Sequence, residues 1–126
     1  AAYYERAYTP ETEPEPREYG KLASAWLAAH ELAAARSTLQ IALKARPTTA
    51  LWALQGDLEY VAQDFAAALA AFGHATELDP DFGRGHLMMG YCAFELGEEE
   101  AARRYLSRAA EFPDQAAAVK GLGLTD

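Results

Sequence analysis

The stretch HLMMGYCAFELGEEEAARRYLSRAAEF, residues 86–112, gathers a histidine, the chain's one cysteine and three consecutive glutamates. Such groups could bind a metal, supply a thiolate nucleophile or shuttle a proton. Their spacing opposes all three. His86 and Cys92 are six apart, on roughly opposite sides of a helix, so they do not readily share a ligand. His30 and His74 fall on other segments, and neither H-x3-H nor H-E-x2-H occurs. A G-x-S-x-G elbow and a P-loop are equally missing, and Gly83 with Gly85 falls one glycine short of a dinucleotide-binding fingerprint. With a single cysteine, no intramolecular disulfide can form. Cys92 beside Ala93 reads as a small buried residue, and Glu98, Glu99 and Glu100 as a solvated helix start favoured by the helix dipole. The expectation is a protein without catalytic residues, metal or cofactor.

The elements that hold these residues are helical. The 126 residues include 29 alanines and few β-branched side chains, a mixture that favours helix along most of the chain. A formal net charge of -8 argues against nucleic acid and against anionic membrane surfaces, both of which select clustered Lys and Arg. No apolar run approaches the roughly 18 residues that span a bilayer, and no signal-peptide pattern opens the chain. Residue 1 is alanine rather than methionine, which leaves the compartment open: cytoplasmic, or periplasmic if a leader has been removed.

A repeat organises the chain. Ala35, Leu39 and Ala42 precede Pro47; Ala68, Phe72 and Ala75 precede Pro80; Ala102, Leu106 and Ala109 precede Pro113. Each small-large-small trio lies on one helix face. Ahead of each trio comes another helical segment: Tyr19, Leu22, Ala23 and Trp26; then Trp52 and Gly56; then His86, Met89, Gly90 and Ala93. In the second copy the register has two readings. Trp52 in the aromatic slot places Gln55 and Glu59 where apolar residues are expected; a shift by one buries Leu51, Leu54 and Leu58 and adds a residue to the turn before Phe65.

These residues resemble the tetratricopeptide repeat family, whose helix-turn-helix unit reads W-x2-L-G-x2-Y, A-x3-F, then P, at a period of 34 residues. The resemblance covers about residues 17–113. It implies an all-α fold, a right-handed α-solenoid of three hairpins at about 18–48, 49–82 and 83–113. Residues 1–17 are expected to form a flexible Pro/Glu-rich arm. Residues 114–126 are expected to be a C-terminal capping helix or the start of a truncated fourth repeat, giving seven helices. Ala23, Gly56 and Gly90 are the expected close-approach positions of the first helices, matched by Ala35, Ala68 and Ala102 on the second. Gly97 is expected to end its helix in a left-handed conformation, Asp81 and Asp114 to cap the helices that follow them, and Glu99–Arg103 and Glu100–Arg104 to pair.

By the same resemblance, the first helices line a concave groove that takes an extended peptide or a partner helix. Ser24, Leu27, Leu54, Asp57, Tyr60, Arg84, Leu87, Met88, Tyr91 and Phe94 fall on that side. The implied function is a non-catalytic protein-interaction module, an adaptor or scaffold with a protein or peptide partner. Members that clamp acidic chaperone tails use basic and amide residues in the groove; here Gly20, Ser24, Leu54 and Met88 stand at those places, with Arg84 the one cation. A narrower likeness, AFGHATELDP followed by RGHLMMGYCAFELGE, is similar to bacterial type III secretion chaperones for translocator proteins, the alternative reading. In the N-terminal arm Tyr4 and Tyr8 would share a helix face and could dock into the domain's own groove or into a neighbour's, the latter giving a homo-oligomer.

Overall fold

The computed structural model describes residues 16–121. Residues 1–15 of the expected arm, the side chain of Tyr19, and Leu122 and Gly123 lie outside the described residues. Within them the chain is all helical: α1 (Pro16–Ala28), α2 (Leu32–Ala45), α3 (Thr49–Val61), α4 (Phe65–Leu78), α5 (Gly83–Glu95), α6 (Glu99–Ala109) and α7 (Pro113–Gly121). Helices α1–α2, α3–α4 and α5–α6 pair as hairpins, and each hairpin packs on the next.

The three hairpin turns are built alike. The amides of His30, Gln63 and Gly97 each donate to a carbonyl three residues back (Leu27, Tyr60, Phe94) at 3.0 Å. The amides of Glu31, Asp64 and Glu98 reach five back, to Trp26 at 2.8 Å and to Glu59 and Ala93 at 2.9 Å. This is a Schellman turn, which needs a left-handed residue just past the helix end. Gly97 meets that need at φ 80°; His30 at 60° and Gln63 at 65° meet it at a steric cost. The three identical turns also settle the register of the second repeat. No extra residue precedes Phe65; Trp52 holds the aromatic slot, and Leu51 and Leu58 are buried as well because they face the preceding hairpin.

Small residues set the spacing within hairpins. A Cβ on Gly56 would fall 2.6 Å from Phe72 Cε2, and one on Gly90 would fall 2.5 Å from Leu106 Cδ2. The missing side chains are thus the seats of the large residues at the centre of each trio. Ala23 and Leu39 share the corresponding core in the first hairpin. Ala35, Ala68 and Ala102 are at most 1% exposed.

Between hairpins, the first helix of one closes the core of the one before. Leu51 and Leu58 join Ala23, Ala35, Leu39 and Ala42. Met89 and Cys92 join Ala53, Ala68 and Phe72. Leu87, Leu106 and Ala109 are joined by Val119 of α7. Cys92 therefore occupies, one period on, the place of Leu58.

Several local expectations are corrected. Phe82, not Asp81, is the N-cap of α5; Asp79 Oδ1 accepts from the Asp81 amide at 3.1 Å, a turn interaction. Pro113 opens α7, a position that tolerates its missing donor, so Asp114 sits inside the first turn rather than at the cap. Among the described residues Glu99–Arg103 and Glu100–Arg104 form no ion pair; on α6 it is Arg108 that pairs, with Glu111 at 2.9 Å. Helix α6 has 11 residues against 14 in α2 and α4, in keeping with Pro113 following its trio one residue sooner than Pro47 and Pro80 follow theirs.

Replacing Gln63 by glycine removes the steric cost of the left-handed turn and adds unfolded-chain entropy, leaving a net gain of about 0.5–1 kcal/mol. Thermal unfolding of Gln63→Gly is expected at a higher midpoint than wild type; a lower midpoint contradicts the turn geometry.

Candidate functional site

The first helices α1, α3 and α5 repeat one surface row. Leu27, Tyr60 and Phe94 stand three residues before the left-handed turn in each hairpin, so they share one register position. Phe94 is 55% exposed, Leu27 and Tyr60 are half-buried, and the Tyr60 ring meets Phe65 edge-on at 5.3 Å. Ser24, Asp57 and Tyr91 form the neighbouring row: Ser24 is exposed and the other two half-buried. Leu54 packs on the first core, Met88 on the second and Tyr91 on the third, each with part of its surface free. Leu87 differs; it is 7% exposed and belongs to the core around Leu106 and Val119.

Asp57 and Arg84 join α3 to α5 through a direct hydrogen-bonded ion pair. The Arg84 guanidinium also lies 5.8 Å from the centre of the Phe72 ring, within cation–π range. Burial pushes the Asp57 carboxyl above its ordinary range, against the pull of Arg84 in the other direction. Burial, reinforced by Glu95, also raises the Tyr60 phenol. The Cys92 thiol is pushed up to about 11 by burial and by Glu95, and is fully buried. It is thus protonated at neutral pH and closed to reagents, a packing residue.

The histidines are engaged structurally. His86 Nε2 lies 2.9 Å from the Pro80 carbonyl, and its ring stacks on Phe112 at 5.6 Å. His74 stacks on Trp52 at 4.4 Å, and His30 forms the first left-handed turn. Gly83 and Gly85, which might suggest a phosphate loop, serve close packing: a Cβ on Gly83 would fall 2.9 Å from Phe112 Cβ, and one on Gly85 2.7 Å from Thr76 Cγ2. Among the described residues no group of three His, Cys, Asp or Glu could hold a metal ion, and no helix is long and apolar enough to cross a membrane.

One polar cluster was not foreseen as a unit. Arg36 Nη2 donates to Glu59 Oε1 at 2.7 Å, and Gln55 Nε2 donates to Glu59 Oε2 at 2.9 Å. This network makes a carboxylate tolerable in an apolar slot, with Glu59 only 9% exposed. The signal was present in the sequence as Gln55 and Glu59 out of pattern; the partner on α2 was not.

A family model described as tetratricopeptide repeat matches residues 62–123. That stretch is similar to the tetratricopeptide repeat family, in general a non-catalytic fold for protein–protein interaction. No curated protein matches the chain.

Because burial outweighs Arg84 in raising Asp57, the folded state holds that proton more readily than the unfolded chain. The charged form therefore opposes folding, increasingly as pH rises through the folded pKa. Asp57→Asn imitates the protonated form. Its midpoint at pH 7 is expected to equal or exceed wild type, an advantage that fades below about pH 4. A loss of several degrees at pH 7 would show that the ion pair dominates.

Proposed function

We propose that the protein is an interaction module that takes an extended peptide or a partner helix on the groove face of α1, α3 and α5. The observation carrying this reading is the row Leu27, Tyr60 and Phe94, one apolar anchor per hairpin at a fixed register, with the Phe94 ring more than half exposed. Stacked hairpins put such anchors at a regular spacing along the face, and exposed aromatics carry a large share of binding energy at interfaces. Tyr91 and Met88 extend the apolar strip, and Ser24 offers a hydroxyl at its start. Leu87 supports the strip from beneath.

The partner's chemistry is apolar. Arg84 is the cation of this face, and it is already committed to Asp57. An acidic peptide would have to break that pair and then face a chain of net charge -8, so a ligand led by Leu, Ile, Phe or Met side chains fits better than an acidic tail.

The test is selection of binding peptides on the full chain from a displayed random library, followed by titration of the enriched peptide. Enrichment of apolar peptides is expected, with affinity falling about tenfold or more in Leu27→Glu and Phe94→Glu while circular dichroism stays unchanged. Equal affinity for wild type and both variants would remove the site from this face.

A further inference from the structure

The left-handed turn that fixes the register of the apolar row fixes a second row beside it. Glu31, Asp64 and Glu98 follow Leu27, Tyr60 and Phe94 by four residues each, and they are the N-caps of the second helices α2, α4 and α6. Their amides donate to the carbonyls of Trp26, Glu59 and Ala93, the residues immediately before the anchors, at 2.8, 2.9 and 2.9 Å. One main-chain bond, made three times, thus holds an acidic residue beside each apolar anchor. All three acids are exposed. Asp64 Oδ1 accepts from the Ala67 amide at 3.2 Å, whereas the side chains of Glu31 and Glu98 make no capping bond.

The charge around the anchors has one sign. Residues 22–28, 55–61 and 89–95, the last two turns of α1, α3 and α5, contain no Lys or Arg. Glu95, next to Phe94, acts across the seam: after burial it is the largest influence raising the Tyr60 phenol. Among the described residues Glu31, Asp64, Glu95 and Glu98 form no ion pair. The cations of this end belong to the second helices. Arg36 is committed to Glu59, and Arg103 shares a small recess with Phe94, Glu99 and Ala102. The dipole of each second helix puts about half a positive charge at its N-terminus, which offsets part of one carboxylate and leaves the row negative.

We propose that the groove face takes a basic amphipathic segment of a partner protein, with apolar side chains on Leu27, Tyr60 and Phe94 and with Lys or Arg along the flank that meets Glu31, Asp64 and Glu98. This rests on the groove reading above and adds to it the sign and the side of the partner's charge. The apolar row is the docking surface, and charge complementarity decides its occupant. Exposed ion pairs contribute little singly. A row of one sign nevertheless steers a basic partner toward the face and fixes which way round it lies. Anchor and acid recur together once per hairpin, so a partner with its Lys or Arg on the opposite flank would engage the anchors and leave the three carboxylates unpaired.

The test selects peptides from a displayed random library on the full chain, in parallel on wild type and on the variant Glu31→Gln/Asp64→Asn/Glu98→Gln, in which asparagine keeps the cap of α4. Wild type is expected to enrich peptides whose apolar residues are flanked by Lys or Arg, and the variant to enrich the apolar residues without that bias. For the peptide enriched on wild type, the three substitutions are expected to weaken binding about five- to tenfold at about 50 mM salt, chiefly through slower association, and less than about twofold at about 500 mM. Circular dichroism is expected to match wild type. The control Glu77→Gln/Asp81→Asn/Glu111→Gln removes as many carboxylates from the opposite end of the second helices. An equal loss in that control would trace the effect to net charge and overturn the proposal. Apolar peptides with no Lys or Arg bias, bound less well by Phe94→Ala, would overturn it and leave the groove reading standing. No enrichment, or peptides indifferent to Phe94→Ala, would overturn both.

Discussion

The fold depends on side chains that are not there. Gly56 and Gly90 leave room for Phe72 and Leu106 to sit against the backbone of the first helix, and that approach fixes the distance between the two helices of a hairpin. Once the distance is set, the fully buried trios have no freedom left, since interiors close-pack and tolerate neither a void nor an extra methyl. The hairpin then presents an apolar edge, which the next first helix covers with Leu58 or Cys92, and which Val119 covers at the third hairpin. Stability of this kind is local and additive along the stack, as expected for a repeat architecture.

Repetition also sets out surface rows. A residue placed three before each left-handed turn recurs on one face at a regular spacing, which is how Leu27, Tyr60 and Phe94 come to form a row without sequence identity among them. The same repetition makes departures informative. Ala71 where the pattern later has Tyr105, and Gln55 where it has Met89, coincide with a cleft and an unpartnered acceptor in the seam between the first two hairpins.

Much of this was legible in the sequence because it rests on period. The spacing of Ala35, Ala68 and Ala102, with prolines after each trio, was enough to place six helices, and Asp114 onward a seventh. The status of Cys92 followed from its apolar neighbours and is now explained by its equivalence to Leu58. What was not legible depends on contacts between distant residues. The register of α3 could not be chosen because Glu59 looked wrong for a buried slot until Arg36, 23 residues away, was found holding it. Asp81 and Asp114 were plausible caps by type, but backbone direction at Phe82 and Pro113 decided otherwise. Of the residues proposed for the groove, Leu87 could not be told from its neighbours by spacing, because Val119 of α7 shares the core that buries it.

The most direct test of the seam is a double-mutant cycle on Gly56→Ala and Phe72→Leu, read by equilibrium unfolding of the full chain. Hairpin one already carries the alanine–leucine pair as Ala23 and Leu39, so the double variant copies a packing the fold uses. Gly56→Ala alone should cost about 1–3 kcal/mol, and the double variant should be more stable than the sum of the single losses by about 1 kcal/mol or more. Strict additivity of the two losses would mean that the glycine and the ring do not compete for the same space, and the account of the fold would fail with it.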